Sequence, residues 1–398
     1  MIKLREHQTT VIDALREKNK GQIIVPTGGG KTMCMIKDAE HEFTKNSVSK
    51  TIVVVAPRIL LAQQLCEDFL EHNLDGNYNV GVDVLHIHSG ETHHKSTTKT
   101  KEIEEWYHNS IKNLLIFTTY HSLHKIAESP DIEVDTIYFD EAHNSVQKHF
   151  VVPTEYYSIY AKRCYFFTAT PKHSKTPYKI GMNDEDIYGE VLCNIPAPEL
   201  VQKGHILPPK VLIKDIDVVD DSRHSWEKDC DHLVSTIDET NVDKILVCAR
   251  RTRQIIDLVS QTEFVNEMNY RGYSLLYITS KHGAFVNGVK VNREDFFNTL
   301  HEWGEDKEKR FIVLHHSILS EGINVKGLEA ALFLRNMDYI GISQTIGRVI
   351  RKGDESKTYG LVVVPCYDKV GISTSKRINA VVDTVFNKGQ AAISVVSR

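Results

Sequence analysis

Val25-Pro26-Thr27-Gly28-Gly29-Gly30-Lys31-Thr32 is a glycine run that ends in Lys-Thr. Gln22-Ile23-Ile24-Val25, just before it, suits a buried strand, and Met33-Cys34-Met35-Ile36, just after it, opens a helix. Strand, glycine turn and helix N-terminus together make an anion cradle. With no Cβ at Gly28, Gly29 and Gly30, backbone N–H groups can converge on a phosphate. The helix start adds unpaired N–H groups and the positive end of its dipole. Pro26 and Thr27 lead into the turn, Lys31 is placed to reach the β- and γ-phosphates of ATP, and the Thr32 hydroxyl is placed to hold Mg²⁺. Val25 stands where the usual pattern has its first glycine.

Outward from this loop the chain alternates strands and helices. Thr51–Ala56, Leu114–Thr118, Thr136–Phe139 and Cys164–Phe167 are short apolar, β-branched or aromatic runs, the pattern of strands covered on both faces. Helical spacing between them predicts a parallel sheet with helices on both faces. In such a sheet functional residues gather at the carboxyl ends of the strands. Asp140 and Glu141 sit at such an end, in Asp140-Glu141-Ala142-His143. A carboxylate there can hold Mg²⁺, and its neighbour can polarise an attacking water.

Upstream, Leu4-Arg5-Glu6-His7-Gln8 offers a side-chain amide whose donor and acceptor suit the edge of adenine. Taken alone, Gln8 equally fits a surface position. From about 173 to 209 the pattern loosens into acidic and Pro-rich sequence. The division is expected there, giving an N-terminal ATP-binding domain over 1–207 and a C-terminal domain over 208–398. The second half repeats the α/β alternation, with strands expected at 245–249, 274–278, 311–314, 330–334 and 361–364, and it lacks a phosphate loop. It does carry Gln344, Arg348 and Arg351 at i, i+4 and i+7, one face of an expected helix that runs through 344–351. Guanidinium groups there could meet the charge on a transferring phosphoryl group. A basic solvated face is the other reading of the same spacing.

Composition narrows the class. Over 398 residues, 41% hydrophobic and 25% charged content suits a globular protein, and no apolar run approaches the ~20 residues of a membrane helix. The seven cysteines include no C-x-x-C pair, so neither a zinc site nor a disulfide framework is expected. With no signal-like N-terminus, a reduced cytoplasmic protein is expected. The formal charge of −5 means that a nucleic acid must find a local basic surface. His86, His88, His93 and His94 suggest a metal by density, but without cysteine or carboxylate partners they are expected in a solvated loop. The mixed run 304–310 is expected as an exposed loop. Trp226, Tyr273 and Tyr277 fit base stacking or core packing equally.

With these residues placed, the chain resembles the superfamily 2 helicases over nearly its whole length. Leu4–Gln8 is similar to their adenine-reading motif, and Pro26–Thr32 to their phosphate loop. Ala56–Arg58 and Thr118–Leu123 resemble two nucleic-acid-contacting motifs. Asp140–His143 is a literal D-E-A-H, Thr168-Ala169-Thr170 resembles the coupling motif, and Ile245–Arg250, Ser320–Asn324 and Gln344–Arg351 resemble the motifs of the second domain. The style of the last is nearest to phage recombination-type helicases, which share features with XPB and the type III restriction motors.

The resemblance implies two tandem RecA-like domains with the nucleotide site in the cleft between them. Cofactors would be ATP and Mg²⁺. Arg5, Gln8, Gly322 and Asn324 would line the nucleotide. His143, Thr168 and Thr170 would couple ATP state to domain closure, and Arg58, Thr119 and the region of Ser280 would touch the nucleic-acid backbone. Asn324 replaces a ribose-binding Asp common in the family, and His315 stands near a position usually held by a hydroxyl. The implied activity is that of an ATP-dependent helicase or translocase, monomeric in its motor core, on branched or forked DNA in recombination, repair or replication. An RNA helicase, or a motor subunit serving a nuclease, are the alternatives.

Overall fold

The computed structural model describes residues 3–45, 48–74, 81–90, 92, 94–129, 131–215, 222–279, 281–316, 327–334, 337–352, 357–366 and 369–396. Ser280, Gly322, Asn324 and His93 lie outside these. Two compact units result: Met1–Pro196 joined by Ala391–Arg398, and Ala197–Gln390.

The first unit contains α1 (Glu6–Glu17), β1 (Lys20–Ile24), α2 (Lys31–Lys45), β2 (Thr51–Ala56), α3 (Ile59–Leu74), β3 (Val82–Ile87), α4 (Thr100–Asn109), β4 (Asn113–Thr119), α5 (Leu123–Ala127), β5 (Thr136–Phe139), α6 (Val151–Tyr160), β6 (Arg163–Thr168), β7 (Lys172–His173), α7 (Glu185–Tyr188) and β8 (Val191–Asn194). Seven strands form one sheet in the order β3-β4-β2-β5-β6-β1-β8, every pairing parallel. Strands β2, β4 and β5 are buried at every position, so both faces are covered. That is why they read as continuous β-branched runs and do not alternate. Val53, Val55, Ile116, Ile137 and Phe139 form the centre of one apolar layer. Each such side chain contributes roughly 1.5–3 kcal/mol on burial.

Register carries the functional residues to one edge. Ile24 pairs with Thr168, Val55 with Phe139, and Ala56 with Thr119. The phosphate loop, Arg58, Thr119, Asp140 and Thr168 therefore all follow or close the carboxyl ends of adjacent parallel strands, where open α/β sheets bind ligands.

Strand β3 revises one expectation. His86 lies on it and both His86 and His88 are buried, so these two are not in a solvated loop, whereas His94 is exposed as expected. His86 stacks on Phe117 and its Nδ1 lies 3.1 Å from His88 Nε2. The strand escaped the sequence reading because Asp83 and His86 interrupt its apolar run.

The second unit contains α8 (Ala197–Gln202), β9 (Pro209–Asp215), α9 (Ser225–Thr240), β10 (Lys244–Cys248), α10 (Thr252–Gln261), α11 (Phe264–Tyr270), β11 (Ser274–Thr279), β12 (Gly283–Val286), β13 (Val289–Val291), α12 (Arg293–Glu305), β14 (Phe311–His315), β15 (Ala330–Phe333), α13 (Tyr339–Val349), β16 (Gly360–Cys366), α14 (Lys369–Val381) and a π-helical turn over Val382–Asn387. Its sheet runs β13-β12-β11-β14-β10-β15-β16-β9. The five expected strands are present. Added to them are the edge strand β9, which opens on a proline, and the antiparallel hairpin β12–β13. Asn287 and Gly288 turn that hairpin with φ of 47° and 81°, the left-handed pair that a two-residue hairpin requires.

The division falls at Pro196/Ala197, ahead of the 207/208 position expected from sequence, because α8 packs on the Val382–Asn387 turn of the second unit. The chain also returns: β17 (Ser394–Val395) pairs in parallel with β7 in the first unit.

Candidate active site

Gly28 and Gly30 take φ of 84° and 82°, the left-handed conformations that glycine permits without strain. They turn the chain between β1 and the start of α2 at Lys31, as the sequence required. Helix α1 braces this turn. The His7 ring Nε2–H donates to the Gly29 carbonyl at 2.7 Å, and the Gln8 amide donates to the Gly30 carbonyl at 3.4 Å. Gln8 Oε1 accepts the Arg5 backbone N–H at 2.9 Å. The Gln8 amide is thus engaged at both ends by the phosphate loop and its own helix start, while the Arg5 side chain is exposed. A Cβ on Gly30 would stand 2.4 Å from Gln8 Nε2, so the two elements meet as closely as glycine allows.

Asp140 and Glu141 follow β5, and their backbone is held carbonyl by carbonyl. The Tyr120 hydroxyl donates to the Asp140 carbonyl at 2.8 Å, and Asn144 Nδ2 donates to that of Glu141 at 3.0 Å. Ser145 Oγ lies 2.6 Å from the Ala142 carbonyl and 2.9 Å from the Tyr188 hydroxyl. These clamps sustain Glu141 at φ 47°, a left-handed conformation that costs a non-glycine residue on the order of 1–3 kcal/mol.

A chain of polar groups then crosses the site. Lys31 Nζ is 3.8 Å from Glu141 Oε1, and His143 Nδ1 is 3.6 Å from Glu141 Oε2. The same His143 nitrogen lies 3.1 Å from Thr168 Oγ1 and 3.2 Å from Thr170 Oγ1. The phosphate-loop lysine, Glu141, His143, Thr168 at the end of β6 and Thr170 just past it are one contiguous set. Burial and the neighbouring Glu141 charge push the Asp140 carboxyl up, and Lys31 offsets part of that.

The residues fit a magnesium nucleotide. The loop has a glycine cradle and a buried Thr27 hydroxyl with no hydrogen-bond partner among the described residues. Asp140 is a buried carboxylate beside a lysine, and Thr32 opens α2 next to the cradle. Thr32 and Asp140 would hold Mg²⁺, which supplies charge neutralisation on the phosphates.

Among the expected nucleic-acid contacts, Arg58 is exposed just past β2. Thr119 is buried, its hydroxyl donating to Ser122 Oγ at 3.4 Å, so the surface at that strand end is offered by His121 and Ser122. In the second unit, Gln344 and Arg348 are buried on α13 and do not form a solvated face. The Gln344 Nε2 has no hydrogen-bond partner among the described residues. Arg351 is not on the helical face with them. The helix ends at Val349, and Arg351 forms an antiparallel bridge with Ile206. Lys357 Nζ accounts for the stop, donating to the Val349 carbonyl at 2.6 Å and the Arg351 carbonyl at 3.3 Å. His315 is buried at the end of β14, 3.3 Å from Cys248 Sγ, and does not present a surface contact.

His7, Tyr120, Asn144 and Ser145 were not singled out from sequence. The one available signal was proximity in sequence, since His7, Tyr120 and Asn144 lie beside a residue that was, and Ser145 two positions past His143.

The profile of the family described as "Type III restriction enzyme, res subunit" matches residues 1–173. Comparison with curated proteins finds no match. Among solved structures, the ATP-dependent Type ISP restriction-modification enzyme LlaBIII bound to DNA is similar at TM-score 0.74 and 19% identity, over 99% of this chain and 31% of that one. A nuclease-deletion mutant of the Type ISP enzyme LlaGI, in complex with a DNA substrate mimic, gives 0.68 and 20%, over 98% and 30%. Mss116p bound to ssRNA and AMP-PNP gives 0.65 and 16%, over 99% and 75%. The chain thus spans about a third of the length of the two restriction enzymes. Matched over residues 1–173 by that family's profile and over nearly its whole length by these structures, the chain shares their fold of two tandem RecA-like units.

Proposed function

We propose that this chain is an ATP-dependent nucleic-acid translocase or helicase, acting on DNA. The observation that carries the reading is the contiguous set Lys31–Glu141–His143–Thr168/Thr170 beside a glycine cradle. Lys31 binds and orients the β- and γ-phosphates. Glu141 accepts the proton of the attacking water at a carboxylate oxygen. His143 passes the state of that carboxylate to Thr168 and Thr170. Arg348 and Arg351, from the unit without a phosphate loop, stabilise the charge of the transferring phosphoryl group. Hydrolysis coupled to movement along a strand follows from that division of labour between two units.

DNA is favoured because LlaBIII and LlaGI, both restriction-modification enzymes, were solved with DNA or a mimic of it. Work on forks and branched junctions in recombination or repair is the finer reading and rests on motif style; a cytoplasmic setting is the reading drawn from the sequence's lack of a signal-like or long apolar segment. No helix among the described residues is long and apolar enough to cross a membrane. A second reading, a motor that serves a nuclease, is favoured by the same two enzymes, of which this chain spans only 31% and 30%.

ATP turnover measured with single-stranded DNA, duplex, fork, Holliday junction and matched RNA tests the reading. Stimulation by fork DNA above the RNA fork is expected, and the reverse order would sink the DNA assignment. Strand displacement by the isolated chain separates a helicase from a motor that only drives a partner.

A further inference from the structure

Beyond the acidic pair and its coupling threonines, the chain leaves β6 through a short loop that none of the site residues explains. Lys172-His173-Ser174-Lys175-Thr176-Pro177-Tyr178-Lys179 holds three lysines and a histidine, with no acidic residue before Asp184. In a protein of formal charge −5 this is a local concentration of positive charge. At its tip Lys175, Tyr178 and Lys179 are all exposed, and Tyr178 presents 95% of its surface to solvent.

The loop is built, not slack. Ser174 and Asn183 close it reciprocally: Asn183 Oδ1 accepts the Ser174 N–H at 2.7 Å, and Asn183 Nδ2 donates to the Ser174 carbonyl at 3.0 Å. Met182 N–H donates to the Lys172 carbonyl at 2.7 Å. Gly181 sits so close beneath that a Cβ would fall 2.1 Å from the Ser174 nitrogen. The returning C-terminal strand braces the other side, with Ser394 N–H donating to the Pro171 carbonyl and Val396 N–H to that of His173. Within the tip, the Ser174 hydroxyl donates to the Thr176 carbonyl at 2.9 Å, and Pro177 fixes its own φ. A braced loop that holds an aromatic ring fully in water, between two lysines, has the donor set of a strand-binding element. The ring stacks on a base, and the ammonium groups take the flanking phosphates. Its origin also suits the task, because it starts six residues past Thr168, on the sheet edge that bears Arg58 and the end of β4.

We propose that the 174–181 loop is a nucleic-acid binding site, in which Tyr178 stacks on an unpaired base and Lys175 and Lys179 contact the phosphates beside it. This rests on the motor reading and adds the place where single-stranded nucleic acid is gripped in the first unit.

The test is equilibrium binding of the full chain to a single-stranded oligonucleotide of mixed sequence across a salt series, with RNA of the same sequence as a parallel arm. Tyr178→Ala is expected to weaken binding roughly 5- to 100-fold, and Tyr178→Trp to retain it, because any large ring stacks. Lys175→Ala with Lys179→Ala is expected to flatten the log–log salt slope by about 1.4, the value for two phosphates on a single strand. The arm with the tighter binding and the larger loss identifies the strand this loop serves. Wild-type affinity and salt slope in both sets of variants would overturn the loop assignment and leave the motor reading standing. A loss in Tyr178→Ala that Tyr178→Trp fails to restore would overturn the stacking role. Absence of strand binding by the wild-type chain would overturn the motor reading and this assignment together.

Discussion

The Lys31 ammonium faces the Glu141 carboxylate at 3.8 Å, with both side chains nearly buried. Lys31 is a counter-charge for Glu141, so on the proposed reading a nucleotide arriving at the loop would compete with Glu141 for Lys31. Binding of the γ-phosphate would draw the lysine away and release the carboxylate for proton transfer.

The two residues should therefore separate binding from chemistry. Lys31→Ala removes the point charge on the phosphates and leaves Glu141 without its counter-charge, and turnover is expected to vanish with nucleotide binding. Glu141→Gln keeps the shape but cannot take a proton. Turnover should fall by about 10²–10⁴ while ATP affinity holds or tightens. Titration with a fluorescent ATP analogue beside a phosphate-release assay reads both. Equal loss of nucleotide binding in the two variants would contradict the roles.

Gly30→Ala tests the loop brace. At φ 82° an alanine is strained, on the order of 1–3 kcal/mol, wherever Gln8 goes. The Gln8 side chain can swing aside, so the steric part is small and the backbone part decides. A lower melting temperature and a raised KM for ATP are expected. Adding Gln8→Ala should not restore either, and full restoration would show that the clash, not the backbone, is the cause.

Much of this was legible in the sequence, for a physical reason. Strands buried on both faces must be apolar throughout, so β2, β4 and β5 announced themselves, and the glycine run fixed the turn after β1. The sequence was opaque where a residue's role depends on what it meets far along the chain. His86 looked solvated because a histidine in a polar stretch does not reveal that it lies against Phe117. Arg351 looked helical because nothing in its spacing shows Lys357 and Ile206 ending the helix before it. Tyr120 and Ser145 hold backbone carbonyls, an acceptor that every position offers and no periodicity marks.

Arg348→Ala and Arg351→Ala should both slow hydrolysis, and Arg348→Ala by about 10³ or more if it meets the transferring phosphoryl group. Their different settings predict a contrast. Arg348 is buried on α13, so Arg348→Lys should fail to rescue, since an ammonium lacks the planar fork. Steady-state turnover with saturating ATP and nucleic acid decides, and wild-type rates in Arg348→Ala would return α13 to a purely packing role.

His86 gives the first unit an acid limit. Burial first, and then His88 and His94, lower its pKa to about 4 from the usual 6.5. The folded state thus holds the ring neutral while the unfolded chain takes up a proton below 6.5. Stability from this group is complete above that value and is lost as the pH falls from 6.5 towards 4, at roughly 1.4 kcal/mol per unit of displacement. Thermal melts between pH 7.5 and 5 should show a steeper fall for the wild type than for His86→Phe, whose ring can still stack on Phe117. Parallel curves would assign the acid limit elsewhere.

Tyr120 joins two functional stretches through one hydroxyl. Its backbone N–H donates to the Ala56 carbonyl at 3.2 Å, next to Pro57 and Arg58, and its side chain holds the carbonyl of Asp140. Tyr120→Phe keeps the ring between Phe139 and Phe150 and deletes only the donor. A buried carbonyl left without its partner costs about 1–3 kcal/mol, so the melting temperature should drop modestly. Tyr120→Ala would add a cavity and cost about 3–5 kcal/mol. The kinetic effect should separate from the stability effect. With Asp140 less firmly placed, the variant should need more Mg²⁺ for half-maximal turnover, with KM for ATP at saturating Mg²⁺ little changed. Ser145→Ala, which frees the Ala142 carbonyl two residues further on, serves as the control, because it loosens the same turn without touching Asp140. A magnesium requirement raised equally in both variants would mean that the whole turn has relaxed. An unchanged requirement in Tyr120→Phe would reduce the hydroxyl to a packing contact.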